Sequence, residues 1–418
     1  MFSLQGTEPM CTVEVCTRMV QLSLNAGTTE MSPIAFAYFG IAITSIGSPS
    51  QGYRLGSLAL RLAKKLNAVG HLSSIIALVQ QHIAWVSEPL QSIAESHILG
   101  HNAGKQSGDI FSSSMNYSFF LVTSFFCGKS LDIVRKNSWD FIQELLRVRQ
   151  KWFVSGSALI YLQSVALIEG LEFNVTESMH KIPDEDEIVA TAARTKQQGL
   201  VLNVRLHKLI RAFLFRQYDE MSKVGEILNP ILEDKTPLRI NYCVGVYFEG
   251  LVSFCMARQT KNERWALRGE AALVFFRRWA ELSAWNFENK TLLLEAEKMS
   301  LLGNFEGGGS TNFEQASELY TQAIRSSRQH KFLHEEAISC ELAGLFYHDR
   351  NANKKAFEYL TQAVRCYRQW GAEAVAKRVE SFIQHFEPTS SPPFLLEDSK
   401  SYASSSYDNA SKRCLDFD

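Results

Sequence analysis

Apolar residues recur every three or four positions along most of this chain, from Pro33 to about residue 386. This spacing is typical of amphipathic helices, whereas the alternation that marks β-strands is scarce. Gly, Ser, Asn or Pro separates the segments, as at Gly47-Ser48-Pro49-Ser50. The pattern predicts about sixteen helices, namely 33–47, 51–67, 72–86, 88–106, 109–127, 129–146, 148–169, 193–216, 218–230, 237–258, 262–284, 288–303, 312–329, 334–349, 353–370 and 372–386.

One helical segment repeats itself near the C-terminus. Leu319–Arg325 reads LYTQAIR, and forty residues later Tyr359–Arg365 reads YLTQAVR. Small residues that let two helices approach closely recur in both units: Ala316, Ala323, Ala356 and Ala363. Gly344 and Tyr347 occupy the small and aromatic positions that a tetratricopeptide (TPR) unit has in its preceding helix. A fixed period of this size predicts an all-α fold, a TPR-like α-solenoid of antiparallel helix hairpins.

Changes in composition along the chain predict five regions. Polar, aperiodic sequence predicts an irregular N-terminal segment, and the stretch around Pro183–Glu187 predicts an acidic loop. Pro and Ser dominate the end of the chain, which predicts a disordered tail. The regions are 1–32 (irregular), 33–170 (N-terminal helical repeats), 171–192 (acidic loop), 193–386 (C-terminal TPR-like repeats) and 387–418 (tail).

Charge and cysteine content argue against several function classes. Lys and Arg number 43 against 44 Asp and Glu, so no net positive charge draws the chain to nucleic acid or to an acidic membrane. The eight cysteines are scattered without a C-x-x-C pair, which predicts reduced thiols in the cytoplasm or a similar reducing compartment. The most apolar span, Ile34–Ile46, is too short to insert into a membrane.

Catalytic and cofactor motifs are not found. Gly100–Gln106 superficially resembles a phosphate loop, but it has one residue too few between its glycines, lacks the Ser or Thr, and lies within a helical pattern. His97 with His101, and His330 with His334, have the spacing of metal ligands, yet neither pair has an obvious third ligand. We interpret these as solvent-facing helical histidines, and we predict no metal, no cofactor and no enzyme activity.

Four arginines in the C-terminal repeats are the candidate partner-binding residues. Exposed cations on the concave face of a solenoid commonly bind other proteins, and ordinary solvated charge is the alternative interpretation. The aromatic residues of these repeats are interpreted as packing residues instead of a ligand groove. The four arginines are Arg325, Arg328, Arg365 and Arg368.

Much of the chain resembles a known family. The matching segments are Tyr38–Gly40, Gly52–Leu60, Trp85–Leu90, Ala103–Asp109, Trp279, Trp285–Phe287, Lys290, Leu292–Glu297, Ala316, Leu319–Tyr320, Ala323–Ile324, Phe332, His334–Ala337, Glu341–Ala343, Phe346–Tyr347, Tyr359–Leu360, Tyr367 and Trp370–Ala372. Together they resemble the TPR-like helical region of large multidomain signalling proteins. In those proteins a Ser/Thr kinase-like domain and an AAA/STAND-type ATPase precede the region, and a GAF domain and a histidine kinase often follow it. The matched residues are packing residues, so no active site carries over.

The resemblance implies a scaffold that couples catalytic modules. The first hypothesis is therefore a non-catalytic helical-repeat scaffold for protein–protein interaction in a signal-transduction assembly, with a kinase or ATPase module as a partner. The alternative is a fragment of a multidomain ATPase or kinase whose repeats regulate a catalytic domain in cis. A third hypothesis, a helical enzyme with a pocket between repeats, would be favoured by a deeply buried Glu or His with a strongly shifted pKa.

Overall fold

The fold consists of helices throughout the described chain. The computed structural model describes residues 9–150, 153–154, 158–171, 185–194, 197–233, 240–302 and 310–385. Within these ranges it contains eighteen α-helices, one 3₁₀ turn at Ala84–Val86 and no strand. The helices are α1 Pro9–Ala26, α2 Ser32–Ser45, α3 Pro49–Lys65, α4 Val69–His82, α5 Leu90–Ser107, α6 Ile110–Phe126, α7 Leu131–Arg147, α8 Leu159–Glu169, α9 Glu185–Arg194, α10 Gln198–Leu214, α11 Tyr218–Glu233, α12 Ile240–Thr260, α13 Glu263–Leu282, α14 Ala284–Leu302, α15 Ser310–Gln329, α16 Leu333–His348, α17 Asn353–Trp370 and α18 Glu373–Gln384.

The helices form an inner and an outer layer. The even-numbered helices α2 to α16 pack against one another in order, and odd-numbered helices such as α3, α15 and α17 cover them from outside. Inner helices are buried all round, since every residue from Cys243 to Ala257 of α12 is buried. Outer helices are amphipathic, and α17 buries only the stripe that faces its neighbours. This two-layer array of antiparallel hairpins confirms the predicted α-solenoid.

Small residues control how closely the C-terminal hairpins pack. All four alanines of the repeated segment are completely buried: Ala316, Ala323, Ala356 and Ala363. Gly344 of α16 lies so close to α17 that a Cβ atom there would be 2.5 Å from Cγ of Leu360. Gly371 ends α17 with a φ of +96°, which glycine adopts without strain. The repeat predicted from the sequence is therefore the unit of helix packing.

The N-terminal and C-terminal halves of the array pack against each other, and we call this contact the closure of the array. Helix α6 contacts α12, and α8 contacts α18. The ring of Trp85 lies 4.8 Å from that of Trp279, and Nε1 of Trp370 donates a 3.1 Å hydrogen bond to the carbonyl oxygen of Lys129. One hydrophobic core runs from Ala84 to Ile383. Buried residues between 84 and 168 thus share a core with buried residues between 206 and 383, and their side chains fill the concave side between the two halves. The first hairpins have a core of their own.

A single asparagine side chain makes three hydrogen bonds between the two halves. Nδ2 of Asn286 in α14 donates to the carbonyl oxygens of Trp85 and Glu88, both at 2.8 Å. Its Oδ1 accepts a 3.1 Å hydrogen bond from the backbone N–H of Leu90. Leu90 is the first residue of α5, so Asn286 caps that helix from a distant part of the chain.

Two segments differ from the sequence prediction. Within the predicted irregular segment 1–32, Pro9–Ala26 is helix α1, anchored by Cys16 and Val20 in the core of the first hairpins. Within the predicted acidic loop 171–192, Glu185–Arg194 is helix α9, because its acidic first turn suits the positive end of a helix and Ile188 is buried. The predicted loop residues 172–184 and the predicted tail 387–418 lie outside the described residues.

Burial also accounts for the cysteines and for the most apolar long helix. The six cysteines whose side chains are described are free and buried: Cys16, Cys127, Cys243, Cys255, Cys340 and Cys366. By length and composition, one described helix, Ile240–Thr260, could cross a membrane, but 83% of its apolar window is buried inside the array. It is the central inner helix α12.

Candidate partner-binding site

The four candidate arginines lie on two outer helices, at matching positions of the repeat. Arg325 and Arg328 are on α15, and Arg365 and Arg368 are on α17. Arg325 and Arg365 are exposed, and neither makes an ion pair or a side-chain hydrogen bond within the described chain. They therefore present two uncompensated positive charges on neighbouring helices.

The other two arginines are engaged within the array. Arg328 donates from Nε and Nη2 to Oε1 of Glu336, at 3.0 and 2.7 Å. Arg368 bonds Glu373 at 3.3 Å and Glu380 at 2.8 Å. These pairs join consecutive helices, so Arg328 and Arg368 position the repeats and leave Arg325 and Arg365 as the residues that are free to bind.

The arginine surface is on the outside of the array, not on the concave side where the sequence interpretation placed it. The buried stripes of α15 and α17 face inward, and the concave side is occupied by the shared core. We call the exposed stripes of α15 and α17 the arginine surface. It carries Glu318 and Glu358 two turns before Arg325 and Arg365 respectively.

The aromatic residues of these repeats are mostly core, as interpreted from the sequence. Tyr347, Tyr367 and Trp370 are almost fully buried. Tyr359 is half-buried, and its ring stacks on Tyr347 at 5.4 Å and 8°. Phe357 differs, because 38% of its surface is exposed at the outer start of α17.

Buried carboxylates beneath this surface fix the register of the helices. Glu341 of α16 accepts 2.7 Å hydrogen bonds from Arg216, Arg378 and the hydroxyl of Tyr367. Burial alone would raise the pKa of this carboxyl, but the two guanidinium groups and the hydroxyl lower it to about 2. The carboxylate is therefore ionised and ties α17, α18 and the turn after α10 to α16.

A second carboxylate of the same kind lies one hairpin earlier. Glu297 of α14 accepts from Arg258 of α12 and from the hydroxyl of Tyr320 in α15. An inner-helix Glu that binds an Arg and an outer-helix Tyr thus recurs in two consecutive hairpins. Sequence reasoning missed this arrangement, because Tyr320 and Tyr367 do not occupy matching positions of the forty-residue repeat.

A buried ion pair lies near the closure of the array. Nζ of Lys290 is 2.9 Å from Oε2 of Glu335 and 4.1 Å from the centre of the Phe332 ring. Burial lowers the pKa of Lys290 and raises that of Glu335, and their attraction offsets part of each shift. Both side chains are almost fully buried, so removing their charges from water is costly. The ion pair is stable there only because hydrogen bonds to its two members offset that cost.

The four histidines interpreted as solvent-facing are all buried. His97 bonds Oδ1 of Asn116 at 3.0 Å, and His101 bonds Oγ of Ser113 at 2.9 Å. His330 and His334 are 7% and 5% exposed. The interpretation was wrong because helices α5 and α16 are covered on more than one side. Across the part of the chain that the structure describes, no group of three His, Cys, Asp or Glu side chains could hold a metal ion.

Two histidines, His207 and His334, have strongly shifted pKa values. This is a feature that would favour the third hypothesis, a helical enzyme. Burial lowers the pKa of His334 and of His207 to about 3, with a further contribution from Lys290 and Arg211 respectively. His207 is completely buried between Phe125 and the ring of Tyr161. These rings leave no opening for a substrate, so core packing accounts for the shift.

The segment resembling a phosphate loop is helical, as its pattern predicted. Gly100–Gln106 lies inside α5, where its backbone groups belong to the helix. Its glycines serve packing, because a Cβ atom on Gly100 would be 2.5 Å from the side chain of Asn116. A Cβ atom on Gly104 would be 2.7 Å from Oγ of Ser73.

Comparison with known proteins identifies no relative. No family model matches the chain, and no curated protein matches it. One solved structure, described as a "circular tandem repeat protein with novel repeat topology and enhanced subunit contact surfaces", is similar over 89% of this chain and 87% of that chain, at 13% identity and a TM-score of 0.22. A TM-score this low carries no argument, so the assignment as a helical-repeat protein rests on the helix packing.

Proposed function

We propose that this protein is a non-catalytic scaffold of a signal-transduction assembly, which binds a partner protein through the arginine surface. The observation that carries the proposal is the pair of exposed, unpaired arginines at matching repeat positions, Arg325 and Arg365. Helical-repeat arrays bind partners through such repeated surface positions. The partner is a protein, with a kinase or ATPase module the leading candidate, and neither nucleic acid nor a membrane is required.

Charge favours an acidic partner segment. Free guanidinium groups bind carboxylates and phosphates in bidentate geometry. Helices two apart in such an array are separated by roughly two interaxial distances at most, about 16–20 Å, which an extended segment of five or six residues spans. We therefore propose an acidic linear segment that crosses α15 and α17. The free, buried cysteines suit a reducing compartment such as the cytoplasm.

The test reverses the two charges. The Arg325→Glu/Arg365→Glu variant and the wild type are expressed in the source cells, crosslinked in place, purified, and compared by quantitative mass spectrometry. The matched control is Arg54→Glu/Arg61→Glu, which reverses two exposed arginines on α3 that also lack ion-pair partners in the described chain. The proposal requires a set of proteins that wild type and control retain and the α15/α17 variant loses.

A purified partner then gives the quantitative result. We expect the double reversal to weaken binding by about 100-fold or more and to remove most of its salt dependence. Equal retention of every crosslinked protein by all three forms would contradict the proposal.

The alternative, regulation of a catalytic domain in cis, rests on the resemblance to multidomain signalling proteins. A denaturing blot of the source cells with an antibody against residues 290–386 tests it. A band near 47.2 kDa supports a scaffold that acts in trans, whereas a band several times heavier supports the alternative.

A further inference from the structure

Three helices in the N-terminal half of the chain line an open pocket that has both apolar and charged residues. Its volume is about 560 Å³, within the range of small-molecule sites. It lies among α5, α6 and α7, and its lining residues are Lys105, Ile110, Ser113, Ser114, Asp140, Gln143, Glu144, Arg147 and Val148. Neither the proposed scaffold function nor the resemblance uses this pocket.

Some polar groups of the pocket are already satisfied by protein partners. Lys105 and Glu144 form a 3.0 Å ion pair. The hydroxyl of Ser113 is bonded to His101, and the carboxylate of Asp109 accepts from the N–H of Ser112, which caps α6. Lys105, Ser113 and Glu144 are therefore lining residues whose polar groups already have partners.

Three other groups have no partner within the described chain. Ser114 is only 4% exposed, lines the pocket, and makes no side-chain hydrogen bond there. Its hydroxyl oxygen is open to solvent at the pocket surface, so it is available to form a hydrogen bond with a ligand atom. Asp140 and Arg147 also lack ion-pair partners and carry opposite charges at two ends of the lining. Among the described residues, the pocket therefore offers one unpaired anion, one unpaired cation and one accessible hydroxyl.

The charges are arranged with a definite polarity. Asp140 and Arg147 are seven residues apart on α7, which places them about 10 Å apart along the helix. The N-terminus of α6 is already capped by the carboxylate of Asp109, so the charge of Arg147 is what attracts an anion in this part of the pocket. Ile110 and Val148 add an apolar contact at the same end.

We propose that this pocket binds a short peptide with free termini. Its ammonium group lies at Asp140, its carboxylate at Arg147, a backbone group at the hydroxyl of Ser114, and an apolar C-terminal side chain against Ile110 and Val148. Two or three extended residues span about 7–10 Å, which matches the separation of the two charges. The site is separate from the arginine surface, so either proposal stands if the other fails.

Calorimetric titration of the full chain tests the proposal. The probes are L-leucyl-L-leucine, its N-acetyl derivative and its C-terminal amide. We expect the free dipeptide to bind and each blocked form to bind about tenfold more weakly or worse, because each loses one charge-assisted contact.

Variants assign each terminus to its residue. Asp140→Asn should weaken binding of the free dipeptide about tenfold and leave binding of the N-acetyl form unchanged. Arg147→Gln should weaken binding of the free dipeptide about tenfold and leave binding of the C-terminal amide unchanged. Both side chains are exposed, so folding is expected to survive, and circular dichroism checks it. Lys136→Gln, on the exposed face of α7 outside the pocket, is the matched control and should bind like wild type.

Two results would overturn the proposal. The first is no binding of the free dipeptide up to about 10 mM, a concentration that would reveal even millimolar affinity. The second is binding that neither blocking group nor either variant weakens, which would mean that the termini are not recognised.

Discussion

Asn286 and Trp85 are 201 residues apart in the sequence, and Nδ2 of Asn286 donates a 2.8 Å hydrogen bond to the carbonyl oxygen of Trp85. The same side chain bonds Glu88 and Leu90, so one residue satisfies three backbone groups at the start of α5. This contact closes the array. It makes the folding of the two parts cooperative, because neither part alone satisfies those groups.

The first prediction concerns this contact. Asn286→Ala should lower the free energy of unfolding by about 4 kcal/mol, because it leaves several buried backbone groups without partners. Urea unfolding measures the change. Asn102→Ala, at an exposed position of α5, is the control and should change stability by less than about 0.5 kcal/mol. A similarly small effect at Asn286 would mean that apolar packing alone closes the array.

The second prediction concerns the close approach of α16 and α17. Gly344→Ala should destabilise the protein by about 2–3 kcal/mol, since the new Cβ atom would meet Leu360 and its backbone nitrogen. Gly70→Ala is the matched helical control, because no atom lies within 4 Å of its Cβ position. That change should stabilise the protein by about 0.5–1 kcal/mol. Thermal and urea unfolding of these two variants distinguish a steric effect from helix propensity. A change in stability of the same sign in both variants would contradict the packing argument.

The third prediction concerns Glu341 at acid pH. The pKa of this carboxyl is about 2 in the folded protein, whereas its ordinary value, which applies to the unfolded chain, is 4.5. The unfolded chain therefore takes up the proton first as the pH falls. The stability that this carboxylate contributes is therefore complete above about pH 4.5 and is lost progressively toward pH 2. Glu341→Gln should cost about 3 kcal/mol at pH 7, and the difference from wild type should shrink below pH 4.5.

Stability measured from pH 7 to pH 2.5 tests this prediction. Glu314→Gln, at an exposed position of α15, should follow the wild-type curve. A Glu341→Gln deficit that stays constant with pH would show that the carboxylate is not held ionised by its arginine partners.

The fourth prediction concerns His207, whose pKa is lowered to about 3 by burial, with a smaller effect from Arg211. The folded protein keeps the ring neutral, whereas the unfolded chain protonates it below its ordinary pKa of 6.5. Burying the neutral ring therefore has no pH-dependent cost above about pH 6.5. As the pH falls from 6.5 toward 3, the unfolded chain gains a proton that the folded protein does not, and the free energy of unfolding falls. By pH 5 the wild type should lose about 2 kcal/mol relative to His207→Phe.

Urea unfolding at pH 7.5 and pH 5 gives the comparison. Phenylalanine suits the site because Phe125, Phe126 and Tyr161 surround the ring. His71→Phe, at a partly exposed position in α4, is the control and should show no comparable pH effect. If His207→Phe has the same pH dependence as wild type, the histidine is protonated in the folded protein.

Part of the candidate site was visible in the sequence. The forty-residue repeat placed Arg325 and Arg365 at matching positions, because side-chain direction on a helix follows from spacing alone. The pairing of Arg328 with Glu336 was not predictable, since it depends on how α15 meets α16. Nor was the outward position of the arginine surface, because the repeat does not say which side of the array the other half of the chain covers.

The sequence by itself determined that this protein is helical, where most helices lie, and that its C-terminal hairpins repeat. Those properties depend on apolar periodicity and on small residues such as Ala316 and Ala356, which act over one or two turns. Tertiary structure alone decided that the array closes on itself. It also decided that His97 and His334 are buried and that Asn286 caps a helix nearly two hundred residues away. These features depend on the angles at which successive hairpins stack, and small angles that add up over the eighteen described helices leave no local signal in the sequence.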